Sequence, residues 1–146
     1  MQHVATLIIK DTYYPPKEIP MIGYVVLGTN DLARAASFYD ELLAEMGVTR
    51  MMDFGARGYA WAAAMDKPML CIMTPYDGQP ATVGNGVMAG IAADSRDQVD
   101  RIYKKAIELG GTDEGPPGLR AEGRDGFYAA YFRDLDGNKL DVFSYG

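Results

Sequence analysis

Two stretches of the chain repeat apolar residues at spacings of three and four, and several others repeat them at every second position. Leu32, Ala35, Ala36, Tyr39, Leu42, Leu43 and Met46 follow the first rule, as do Val99, Ile102, Tyr103, Ala106 and Ile107. That spacing lays one apolar stripe along one helix face, so it predicts two helices buried on one side. Gly47 and Gly111 stand where these helices should stop. Ser95, with Gln98 three residues on, predicts a capping box in which the hydroxyl accepts an orphan N–H and the amide reaches back.

Strand-like runs follow each helix. In the first half they are "TRMMDFG", "YAWAAAM" and "MLCIM"; in the second they are a short run near Gly111, then residues 127–133 and 138–143 turning at Asp136-Gly137. A shift of 64 residues superposes "GYVVLGTNDLARAASFYDELLAEMG" on "VMAGIAADSRDQVDRIYKKAIELGG", which brings Tyr39 onto Tyr103 and Gly47 onto Gly111. Each half therefore reads β-α-β-β-β. The first module spans 21–74, a Pro- and Gly-rich linker 75–85 and the second module 86–146, after an N-terminal extension over 1–20 that matches neither half.

Alternation along the last strand puts Leu140 and Val142 on one face and Lys139, Asp141 and Phe143 on the other. A lone carboxylate among such neighbours needs either a partner or a task. Applied to the other strands, the same rule groups Tyr24, Met69, Cys71, Met73 and Met88 with Asp141, and assigns Val25, Leu27, Leu70 and Ile72 to the helix side. Tyr59, Trp61, Tyr128 and Tyr131 lie on strands, where aromatic residues serve mostly as packing.

At 146 residues the chain is one domain by size. A net charge of -6 disfavours nucleic acid and anionic membrane as partners and suits a neutral or cationic ligand. One cysteine excludes an intrachain disulfide. No run approaches membrane-spanning length, and no signal-peptide pattern opens the chain, so a cytoplasmic location is expected.

The segments "NDLARAASFYDELLAEMG", "GNGVMAG" and "FRDLDGNKLDVF", in that order and spacing, resemble the vicinal oxygen chelate superfamily of glyoxalase I, bleomycin-resistance proteins and extradiol ring-cleaving dioxygenases. The resemblance covers 21–146 and implies an α+β fold: two tandem β-α-β-β-β modules forming a curved mixed sheet around a central cavity. It also implies frequent pairing of modules between chains, hence a homodimer. Metal-dependent members carry His, Glu or Gln at four cavity positions, which here map onto Tyr24, Cys71, Met88 and Asp141. That set suits neither catalytic zinc nor an iron oxygenase, and the single histidine, His3, lies outside the resembling region. No metal or other cofactor is expected.

The candidate ligand-binding residues are thus Tyr24, Met69, Cys71, Met73, Met88, Arg120, Lys139, Asp141 and Phe143, and the expected function is binding of a small molecule in the cavity between modules. The alternative is a glyoxalase-type lyase or isomerase, or a ring-cleaving dioxygenase. It would be metal-free, with Asp141 as base and Tyr24, Arg120 or Arg124 stabilising the enolate, or would use an atypical metal site. Against both stands a structural role, in which Asp141 pairs with Lys139 or an arginine.

Overall fold

The computed structural model describes residues 20–120 and 126–146. The extension over 1–20 therefore lies outside the described residues except for Pro20, and so does Arg124. In chain order the elements are β1 (Tyr24–Gly28), α1 (Leu32–Ala44), β2 (Thr49–Asp53), a single 3-10 turn (Gly55–Arg57), β3 (Gly58–Ala62) and β4 (Met69–Met73). The second half holds β5 (Ala89–Ala92), α2 (Arg96–Glu108), β6 (Thr112–Leu119), β7 (Phe127–Arg133) and β8 (Lys139–Tyr145).

Each module is one four-stranded mixed sheet, ordered β1-β4-β3-β2 in the first and β5-β8-β7-β6 in the second, with the β1–β4 and β5–β8 pairs parallel. Val26 lies beside Cys71, and Gly90 beside Asp141. The repeat is thus preserved residue for residue across the first and last strands of the two modules. The chain carries two such sheets rather than one continuous one.

Both helices start where a short polar side chain accepts a first-turn N–H. Asp31 caps α1 through the Arg34 amide at 3.0 Å, and Ser95 caps α2 through the Gln98 amide at 3.1 Å. The Gln98 side chain does reach back, but to the Asp94 N–H at 2.8 Å, one residue before the cap. Gly110, not Gly111, takes the left-handed conformation that ends α2, while Gly47 does so for α1.

One core serves both modules. Tyr39, Leu42, Trp61 and Ile72 from the first join Val99, Ile102, Phe132, Leu140 and Val142 from the second in a single buried cluster, with α1 packed on α2. Full burial of each aliphatic side chain contributes about 1.5–3 kcal/mol. The buried stripe of α1 is wider than its spacing predicted: Phe38 is also buried, because this helix meets both its own sheet and α2. Ile107, assigned to the α2 stripe, is exposed.

The β7–β8 turn ties the modules together with polar groups. Asp134 accepts hydrogen bonds from the Tyr39 hydroxyl at 2.6 Å and from the Asn138 amide at 2.9 Å; that amide also donates to the Gly28 carbonyl at 2.9 Å. Asp136 accepts from the Thr29 hydroxyl at 2.6 Å and from the Asn30 N–H at 2.9 Å. Among the described residues, no helix is long and apolar enough to cross a membrane.

Candidate functional site

The last strand alternates as its sequence requires. Leu140 and Val142 are buried against the helices, while Lys139, Asp141 and Phe143 face outward. Register adds Tyr131 beside Asp141, Ala129 beside Phe143 and Phe127 beside Tyr145 on β7. On β5, Gly90 flanks Asp141 from the other side. A side chain at Gly90 would have no room, since its Cβ would stand 2.8 Å from Asp141 Oδ1 and 3.4 Å from Phe143 Cε1. The missing side chain is the space that the carboxyl group occupies.

Asp141 is 4% exposed, and no described side chain hydrogen-bonds or ion-pairs with it. Loss of water raises its pKa from 3.8 to about 6; its own backbone N–H and the charge of Lys139 offset only part of that. The expected pairing with Lys139 or an arginine is thus not formed by any described residue. Lys139 instead holds its ammonium 5.7 Å from the centre of the Tyr131 ring.

Beside this group lies an open cleft of about 570 Å³ between β6 and β8, lined by Glu114, Gly115, Leu119, Arg120, Phe127, Tyr131 and Lys139. Arg120 crosses its wall. Its Nη2 donates to the carbonyls of Pro116 and of Ala129, the latter at 3.1 Å, and its guanidinium carbon lies 5.2 Å from the Tyr131 ring centre. Its Nε is buried without a partner among the described residues. A second cleft, about 590 Å³, runs along loop 83–88 past Arg133 and Gly137, and Lys139 lines both. Phe127, Phe143 and Tyr145 form a triangle with ring centres 5.4 to 5.6 Å apart.

The first sheet has an outward face of its own. Tyr24, Val26, Met69, Cys71 and Met73 share it, with Ala60 and Gly58 on the neighbouring strand; alternation predicted this for Tyr24, Met69, Cys71 and Met73. Leu27 and Ile72 face the core, but Val25 is exposed because β1 is a sheet edge. Tyr24 and Val26 are 68% and 52% exposed. Cys71 is buried, and burial pushes its thiol pKa up, which leaves it a small inert hydrophobe.

Tyr24 and Cys71 therefore belong to one sheet and Asp141 to the other, while Met88, expected on the first strand of the second module, lies on the loop just before β5; the helices join the two sheets. Neither cleft is lined by Tyr24, Met69, Cys71 or Met73, nor by Asp141 or Phe143, which share a sheet face with the lining residues Tyr131 and Phe127. The ligand-equivalent positions Tyr24, Cys71, Met88 and Asp141 also fail as a metal centre on their chemistry. They offer one partly protonated carboxyl, one neutral thiol, one thioether and one phenol. Among the described residues, no three His, Cys, Asp or Glu side chains come together.

Three members of the site escaped sequence reasoning. Gly90 carries no chemistry of its own, and only the register shows that it makes room for Asp141. Tyr131 is not singled out by sequence: of the four strand aromatics most are expected in the core and some at the cavity, and Tyr59, Trp61 and Tyr128 do pack in or against the core whereas Tyr131 forms part of the cleft. Phe127 had no assigned role, although its spacing from Tyr131 on one strand put both on one face.

Comparisons with known proteins agree with this architecture. A family model described as the Glyoxalase/Bleomycin resistance protein/Dioxygenase superfamily matches residues 21–142. A solved glyoxalase/bleomycin resistance protein from Albidiferax ferrireducens T118 is 38% identical, covering 87% of this chain and 100% of its own, with a TM-score of 0.77. A lactoylglutathione lyase from Agrobacterium tumefaciens shares the fold at 22% identity over 89% of this chain and 95% of its own, TM-score 0.61. A glyoxalase/bleomycin resistance protein/dioxygenase family enzyme from Burkholderia phytofirmans PsJN does so at 16% identity over 85% and 98%, TM-score 0.66. No curated protein matches the chain.

Proposed function

The chain belongs to the Glyoxalase/Bleomycin resistance protein/Dioxygenase superfamily, and on that premise we propose that it binds a small organic molecule against the outward face of its second sheet, with Asp141 as the central polar contact and without a divalent metal. The observation that carries this reading is the state of Asp141. It is nearly buried, has no partner among the described side chains and is given room by a glycine. A nearly buried carboxyl group that has only its own backbone N–H as donor is under-satisfied, so its persistence fits a ligand that supplies a further hydrogen-bond donor. Metal analysis of the purified protein tests one half of the reading: a stoichiometric divalent ion that survives dialysis against chelator would refute it. Titration of the parent and Asp141→Asn proteins with any compound that co-purifies tests the other. Equal affinities would remove Asp141 from the contact.

A second reading draws on the raised pKa of the same group. A carboxyl titrating near pH 6 is a suitable general base for removing a proton next to a carbonyl, with the enolate charge falling to Arg120 or Lys139. Deuterium uptake by 2-oxobutyrate in D2O, measured by NMR, separates the two. Uptake that is faster than with Asp141→Asn protein supports the base, and equal rates leave binding alone.

The assembly we propose is a homodimer. Met21, Ile22, Tyr24 and Val26 expose an apolar strip along the β1 edge, and such an edge is usually covered. A stable contact there should bury more than roughly 1,000 Å² in total. Sedimentation showing only a 15.9 kDa species at micromolar concentration would reject the dimer.

A further inference from the structure

We propose that the ligand of the second sheet is an organic anion bearing an aromatic ring, its anionic group held between Arg120 and Lys139 and its ring set against Phe127. The inference rests on the binding reading above and adds the chemical class. It runs against the net charge of -6, which points to a neutral or cationic ligand. The local charge has the opposite sign. Arg120 and Lys139 both line the cleft, and neither has a carboxylate partner among the described residues.

Of the neighbouring carboxylates, Asp141 feels the Lys139 charge without an ion pair, whereas Glu114, the one acid among the described residues of the cleft wall, accepts from Arg133 Nε at 2.6 Å and Asp113 accepts from the Tyr103 hydroxyl and the Gly115 N–H. What the two cations do share is a single ring. Their charges lie 5.2 and 5.7 Å from the centre of Tyr131, close enough for a cation–π attraction that compensates each charge only in part. Two backbone carbonyls fix the Arg120 guanidinium through Nη2, while Nε stays buried and unpartnered among the described residues. With both Nη2 hydrogens engaged and Nε buried, Nη1 is the donor left for an anion.

The remaining wall is aromatic. Phe127 lines the same cleft and stands at one corner of the triangle with Phe143 and Tyr145. Phe143 in turn flanks the space over Gly90 that holds the Asp141 carboxyl group. A cationic end, a carboxyl group and an aromatic end thus share one sheet face. A cleft of about 570 Å³ has the size usual for small-ligand sites.

Calorimetric titration of the full chain at pH 7.5 with 3-phenyllactate, 3-phenyllactamide, 3-phenylpropionate and lactate tests each part. The acid should bind, while the amide and lactate should each bind at least about tenfold more weakly, in line with the loss of one charged hydrogen bond or one buried ring. Arg120→Gln and Lys139→Gln should each weaken 3-phenyllactate by about tenfold or more and leave the amide unchanged. Since Arg120→Gln also removes two carbonyl contacts, the half-buried Lys139 provides the variant that keeps its fold. Equal affinity for acid and amide, indifference of the acid to both substitutions, or no saturable binding of 3-phenyllactate would overturn the proposal. If 3-phenylpropionate matches 3-phenyllactate and Asp141→Asn changes neither, the Asp141 contact fails while the anionic class stands.

Discussion

Replacing Asp141 by Asn removes a charge from a place that water barely reaches, and its effect on stability can be worked out in sign and size. A carboxyl whose pKa is higher in the folded chain than in the unfolded one binds its proton more tightly when folded. Its contribution to stability is therefore full below the unfolded value of 3.8 and is lost as the pH rises through about 6. Each tenfold change in proton affinity is worth about 1.36 kcal/mol, and the rise from 3.8 to about 6 is roughly two such steps. The ionised group thus costs the folded chain up to about 3 kcal/mol at neutral pH. Asparagine has nearly the same shape and never ionises, and the attraction of Lys139 for the charge is already contained in the net shift. The Asp141→Asn protein should therefore melt higher than the parent at pH 7.5, by as much as roughly 6–12 °C for a domain of this size. At pH 4 the difference should nearly vanish. Melting curves for both proteins at pH 4, 5, 6 and 7.5 supply the measurement, and the other carboxylates cancel because they are common to both. A variant that melts lower at pH 7.5, or two profiles that run parallel across the range, would mean that a partner holds the charge, and the reasoning would fail.

Three further outcomes follow from neighbouring contacts. Gly90→Ala should fold, since its backbone is not left-handed, but should displace the Asp141 carboxyl; carbon-detected NMR should then report a moved Asp141 titration midpoint, and an unmoved one would count against the cradle. Tyr39→Phe should lower the unfolding free energy in urea by roughly 1.5–3 kcal/mol, because a buried carboxylate loses a charged hydrogen bond; a loss below about 0.5 kcal/mol would show that Asn138 and the Asp136 N–H satisfy Asp134 without it. Cys71 should react with a disulfide reagent only at the rate of global opening, and reaction as fast in native buffer as in denaturant would contradict its buried, proton-holding state.

Periodicity and turn chemistry made most of the scaffold legible. The stripes of α1 and α2, the Asp136-Gly137 hairpin and the two faces of β4 and β8 all followed from the spacing of apolar residues. The β6 strand did not. Its sequence, "TDEGPPGL", has no alternation, and it holds two prolines because it is a sheet edge with two register breaks, where missing donors are tolerated. Asp141 was conspicuous as a carboxylate out of pattern, and its solitude was not readable, because that depends on where Lys139 and Arg120 point. Gly90 was invisible for a related reason: an empty volume has meaning only once its neighbours across the sheet are known. The sign of the cleft was also hidden. Net charge sums over the whole surface, whereas a ligand meets only the few side chains within a Debye length.

The polar bonds of the β7–β8 turn bear on how the chain is made. Tyr39 and Asp134 are 95 residues apart, and Gly28 and Asn138 are 110. A ribosome adding about 5–20 residues each second would deliver the partner of Tyr39 several seconds after Tyr39 itself. Until then the nascent first half has a helix whose buried face and tyrosine hydroxyl both lack their counterparts. It should remain loosely ordered and open to chaperones while the second half is synthesised. The internal repeat does not therefore divide the chain into two units that can mature in turn: the first becomes stable only when the last hairpin closes on it.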